Sequence, residues 1–144
     1  MGNKIGTQTF DALAFAASLG SAQSIASSAA AEIVDLDTED LDTEGWYTPG
    51  SATFQPDVAG IYLITGQLTL ASFTGTLTVY LYRGVTIVAT VEAVRTAATA
   101  TVQITALVSM NGSTDTITMK VVQTDAASKN VTAASLSGIL LGAS

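Results

Sequence analysis

Six carboxylates in ten positions form the densest group of reactive side chains in this sequence. They are Asp35, Asp37, Glu39, Asp40, Asp42 and Glu44, in the phrase VDLDTEDLDTEGW. Oxygen ligands this close together are what a hard cation such as calcium takes. Calcium, however, needs six or more oxygens converging on one point, and the glycine that an EF-hand loop requires at its sixth position is missing. Val34 and Leu36 alternate with Asp35 and Asp37, so the run reads equally as a solvated edge strand whose charges deter edge-to-edge pairing. That second reading is preferred, and no metal and no cofactor are assigned.

Other chemistry is scarce. The chain has no histidine and no cysteine, which removes Ser-His-Asp and Cys-His arrangements and the common zinc sites. A glycosidase-like carboxylate pair would have to come from Asp57, Glu92, Asp115 or the acidic phrase, and no insertion near them is long enough to build a cleft. The glycines stand singly at turns, without a phosphate-cradling loop. Catalysis is not expected. Five basic residues (Lys4, Arg83, Arg95, Lys120, Lys129) are scattered along a chain of net charge −7, so neither a nucleic acid nor an anionic membrane is an expected partner.

The elements that carry these residues follow from composition and alternation. Charged residues make up 12% of the 144 residues and apolar ones 48%, where about 25% charged is usual for a soluble domain. A surface this poor in charge is one that other subunits cover, and self-association is expected. No apolar run approaches the ~20 residues that span a bilayer. Asp11 interrupts the apolar part of the N-terminus and Gly6 stands where a myristoylation motif needs Ser or Thr, so neither a cleaved signal nor that lipid is expected.

From Ser51 onward the text is strands and turns. Tyr62, Ile64, Gly66, Leu68 and Leu70 share one face of a strand starting at Ile61, with Leu63, Thr65, Gln67 and Thr69 opposite. The run Gly75 to Arg83 places Leu77, Val79 and Leu81 inward and Thr78, Tyr80 and Tyr82 outward. Arg83-Gly84 reads as a tight hairpin turn. Further strands are expected at Val85 to Val94, Thr99 to Met110, Thr116 to Thr124 and Ala134 to Gly142, with turns at Asn111-Gly112-Ser113 and over Asp125 to Asn130. Strands at this spacing specify an all-β antiparallel β-sandwich. Helix is a minor option confined to Thr9 to Leu19, where Phe10, Leu13, Ala14 and Ala17 have helical spacing; the alternative to a docking arm there is a first strand or a helix packed on its own domain.

Set in order, these pieces resemble a known layout. TFQP leads into Gly-Ile-Tyr and an alternating strand, VYLYRG ends in a turn, ALVSMNGSTDTITMKV crosses a polar turn, and the closing strand ends in Leu-Gly. This resembles the jelly-roll superfamily of complement globular heads and tumour-necrosis-factor-like cytokines. The phrase VDLDTEDLDTEGWYTPGSATFQP is similar to the phage and bacterial versions, which pair such an acidic phrase with the Gly-x-Tyr strand. The resemblance spans residues 23 to 142 and rests on turn-based motifs. It departs where the family often has Asn-Gly and this chain has Arg83-Gly84. It implies a compact homotrimer, with the Gly-x-Tyr strand and the terminal strand near the centre of the inner sheet. For a phage it implies a head-decoration, head-fibre or tail-fibre part on the capsid exterior, partnered by the major capsid protein or another virion protein.

On that reading residues 1–22 form an N-terminal arm or docking segment and 23–144 the jelly-roll domain. Tyr62, Tyr80, Tyr82, Ile139 and Leu141 are the trimer-interface candidates. Phe10, Leu13, Phe15 and Leu19 are the capsid-docking candidates, since an apolar segment outside a sandwich needs a cover. Trp46-Tyr47 is expected to close one end of the sandwich. A glycan- or receptor-binding tip using the exposed tyrosines is the second reading.

Overall fold

A computed structural model describes residues 12–27 and 30–144. In chain order the strands are β1 (Ala14–Ser18), β2 (Gln23–Ile25), β3 (Glu32–Ile33), β4 (Thr38–Asp42), β5 (Tyr47–Thr48), β6 (Thr53–Phe54), β7 (Gly60–Arg83), β8 (Thr86–Met110), β9 (Ile117–Gln123) and β10 (Lys129–Ala143). A 3-10 turn at Pro49–Ser51 is the only helical element among the described residues.

The strands join in one antiparallel sheet folded over on itself, and the fold turns on two long strands. The stretches expected as separate strands, 61–70 and 75–83, are one strand, β7, with register slips between Leu70 and Phe73 and between Phe73 and Gly75. Its partner β8 bends opposite, where Ala97 takes a left-handed φ of 49°. Beyond these slips the hairpin changes neighbours. Residues 60–70 pair with β10, and residues 77–83 pair with β9. Bulges of this kind let one strand serve two layers. The first layer runs β4-β1-β10-β7-β8, and the second runs β8-β7-β9-β6-β5.

Between the layers lies the core, and alternation predicts most of it. Tyr62, Ile64, Leu68, Leu70, Leu77, Val79, Leu81, Ile117, Met119 and Val121 are all buried. The hairpin turn falls one residue later than expected. Arg83 still pairs with Thr86, so Gly84 and Val85 are the two loop residues, and Gly84 supplies the positive φ of 58°. β10 begins at Lys129, inside the expected loop, because β2 pairs with residues 129–131.

The N-terminal expectation is corrected. Ala14–Ser18 is a strand, not a helix, and it lies within the sandwich between β4 and β10. Phe15 and Ala17 point inward while Ala14, Ala16 and Ser18 are half-buried. The boundary at residue 22 therefore does not separate an arm from a domain, and what precedes Ala12 lies outside the described residues.

Candidate functional site

The acidic phrase is organised by its own backbone. Asp42 accepts four main-chain N–H groups: its Oδ1 from Glu44, Gly45 and Trp46 at 3.3, 3.0 and 3.0 Å, and its Oδ2 from Tyr47 at 2.8 Å. This cradle turns the chain so that Trp46 and Tyr47 enter the core. The Tyr47 hydroxyl donates to the Leu36 carbonyl at 2.7 Å. Burial, reinforced by Asp37 and Glu39, pushes that phenol well above its ordinary pKa. Asp37 accepts the Gly20 N–H and Glu32 the Ala26 N–H. Among the described residues no three His, Cys, Asp or Glu side chains gather in a group that could hold a metal ion. Val34 and Leu36 are buried and Asp35 and Asp37 exposed, as alternation required.

The outer face of the first layer has a different character. Strand register places its side chains in rows across β8, β7 and β10: Leu107–Leu63–Ile139, Thr105–Thr65–Ser137, Gln103–Gln67–Ser135 and Thr101–Thr69–Ala133. No charged side chain occurs in these four rows. The first row is apolar, and Ile61 and Leu141 extend that end with Leu141 57% exposed and Leu107 66% exposed. The other rows carry hydroxyls and amides, including a Thr69–Thr101 hydroxyl pair at 2.8 Å. A shallow hollow opens at Gln67, Thr69, Ala133, Ala134 and Ser135, where β10 slips register between Val131 and Ala133.

Beside this face the sandwich is open among the described residues. β8 pairs with β7 and with no other strand among the described residues. Ala89, Val91 and Ala93 lie opposite the fully buried Leu81, Val79 and Leu77, yet remain only half-buried. An edge strand of 25 residues with two charged side chains, Glu92 and Arg95, is the kind that pairs or aggregates unless covered.

The sequence-derived interface candidates divide. Tyr62 is fully buried, its hydroxyl donating to the Val58 carbonyl at 2.7 Å, and it touches Trp46 and Phe54 edge-on. It is a core residue, on the same side of β7 as Ile64 and Leu68, and cannot contact a partner. Tyr80 and Tyr82 lie half-buried on the outside of the second layer, rings 5.9 Å apart, with Lys120 Nζ 4.3 Å from the Tyr82 ring centroid. Ile139 and Leu141 lie in the first layer, the former on its outer face. One flat contact therefore cannot hold the two tyrosines and Ile139 together. Of the docking candidates, Phe15 is 1% exposed in the core and unavailable, Leu13 and Leu19 pack partly against that core, and Phe10 lies outside the described residues. Alternation of Phe15 with Ala17 fits a strand there, but Phe10, Leu13, Ala14 and Ala17 fit a helical period equally. Nothing in the text marked β8 as an uncovered edge.

No family model matches the sequence, and no curated protein matches it. Solved structures do. The globular domain of the zebrafish complement 1qA protein aligns with TM-score 0.74 and 13% identity, covering 93% of this chain and 100% of that one. The PRD1 vertex protein aligns with TM-score 0.65 and 18% identity over 90% and 96% of the two chains. The Eiger TNF of S. frugiperda aligns with TM-score 0.64 and 9% identity over 92% and 94%. The fold is the complement-head and tumour-necrosis-factor-like jelly roll. Sequence identities this low establish architecture alone.

Proposed function

We propose that this protein is a phage virion structural protein: a homotrimeric jelly roll that binds the outer capsid surface as a decoration (cement) protein or forms a head fibre. It works by adhesion and not by catalysis. The observation that carries the reading is the uncharged outer face of the first layer lying next to the open β8 edge. Two different surfaces on one copy, each lacking a cover among the described residues, favour a head-to-tail contact in which the edge of one copy meets the face of the next, and such contacts close into rings when the rotation permits. The acidic phrase with its Gly-Ile-Tyr strand, which resembles the phage versions, and the likeness to the PRD1 vertex protein support the virion location. A trimer that binds only assembled shell would stabilise it by mass action, and three linked contacts would multiply weak ones.

Sedimentation equilibrium tests the assembly. A mass near three times 14.6 kDa supports it, and a monomer at every concentration overturns it. Co-sedimentation with phage shells stripped of decoration then tests the location.

The Tyr80–Tyr82–Lys120 surface favours one second reading, a receptor- or glycan-binding tip of a tail fibre or bacterial surface protein. Reproducible hits on a glycan array that disappear in Tyr80→Ala would favour it over cementing.

A further inference from the structure

Two edges of the sheet, β8 and β4, are built in opposite ways. β8 offers 25 residues with two charges. At the far end of the first layer, β4 pairs with β1 alone among the described residues. Three of its five residues are carboxylates. Asp42 is engaged with the backbone of residues 44–47, but Glu39 and Asp40 are exposed, and no described residue hydrogen-bonds to either carboxylate. Between them and Asp42 stands Leu41, 50% exposed. A bare edge carrying an exposed leucine is otherwise an invitation to strand addition.

We infer that Glu39 and Asp40 block the β4 edge against a second copy of this chain, so that β4 does not extend the assembly and it closes instead of growing. The inference rests on the self-association proposed above. In an antiparallel β4–β4 pairing, side chains opposite one another come within about 5 Å, where like charges repel. In a β4–β8 pairing the carboxylates would be desolvated against a strand whose one cation, Arg95, already donates to the Val94 and Thr99 carbonyls. Either pairing would put a further copy on each closed ring and lead to open polymers.

The test is sedimentation velocity over a range of concentration on the wild type, E39T/D40T and E39K/D40K. Threonine removes charge while keeping strand propensity, and lysine keeps an edge block with the opposite sign. The inference expects E39T/D40T to show about a doubling or more of weight-average mass as concentration rises, with E39K/D40K staying at the wild-type mass. Far-UV circular dichroism verifies folding, and the single variant D40T serves if the double variant does not fold. Wild-type mass in folded E39T/D40T (or folded D40T) at every concentration overturns the inference. The wild-type mass reports separately on the trimer: a monomeric wild type whose E39T/D40T variant polymerises would retain the edge block and discard the ring.

Discussion

Phe15 of β1 and Phe54 of β6 stack with ring centroids 4.1 Å apart and planes 18° from parallel. The Phe15 ring also stacks on the Tyr47 ring, centroids 5.3 Å apart and planes 8° from parallel. Through these contacts the first described strand is tied to the second layer of the sandwich, across the core from its own sheet. Strand β1 is thus part of what holds the layers together.

Truncating that ring tests its place. Phe15→Ala removes a fully buried aromatic and leaves a cavity beside Phe54 and Gly138, where a glycine Cβ would meet the Phe15 ring at 2.6 Å. The expected loss is about 3–5 kcal/mol, read from the urea midpoint at constant slope. A loss below about 1 kcal/mol would mean that β1 packs on a preformed core without contributing to it.

The Asp42 cradle supports a second prediction. Asp42→Ala leaves four main-chain N–H groups without their acceptor, two of them on the buried residues Trp46 and Tyr47. An unmade hydrogen bond to a charged group costs about 1.5–3 kcal/mol, and solvent can rescue the outer two groups. The variant should lose roughly 2–3 kcal/mol in thermal unfolding, whereas Asp40→Ala, on an exposed and unbonded side chain, should change stability by under about 0.5 kcal/mol. Equal effects would show that acidity of the phrase matters and the cradle does not.

How much of this was legible in the text depends on how local each cause is. Inward and outward positions of β7, β9 and β10 follow from a period of two, which is written residue by residue. The same pattern already placed Tyr62 with Ile64 and Leu68, so its burial was readable, and only its tyrosine character suggested an interface. The Asp42 cradle spans five residues and was also within reach of the text. β1 was not, because its Ala- and Ser-rich sequence fits two periodicities and only pairing to β4 and β10 decides between them. Ala89, Val91 and Ala93 stay half-buried because no further strand lies beside β8 among the described residues, a property of the assembled sheet that no local pattern contains.

The alkaline limb of stability should belong partly to Tyr62. Its burial, with a contribution from the Asp57 charge, pushes the phenol up to about 12 from 10.0. Because the folded state holds its proton more tightly, the stabilisation is fully present below pH 10 and is lost as pH rises through about 12. Tyr62→Phe should remove part of this slope while costing the hydrogen bond to Val58. Melting temperature followed from pH 8 upward makes the comparison, and parallel curves for both proteins would contradict it.

The outer face of the first layer and the tyrosine face of the second compete as the self-contact, and one charge on each decides between them. Leu63 sits between Leu107 and Ile139 in the apolar row, half-buried in the isolated chain. An aspartate there remains hydrated in a monomer but is stripped of water, without a cationic partner in any of the four rows, once a second copy covers it. Leaving a charge unpaired in an interface costs several kcal/mol, enough to dissociate a micromolar trimer. Leu63→Asp should therefore sediment as a monomer while retaining its far-UV spectrum. Tyr80→Asp, on the opposite side of the sandwich, should keep the wild-type mass. The reverse result would move the contact to the Tyr80–Tyr82 surface, and the uncharged rows of the first layer would then be the face left for a virion partner.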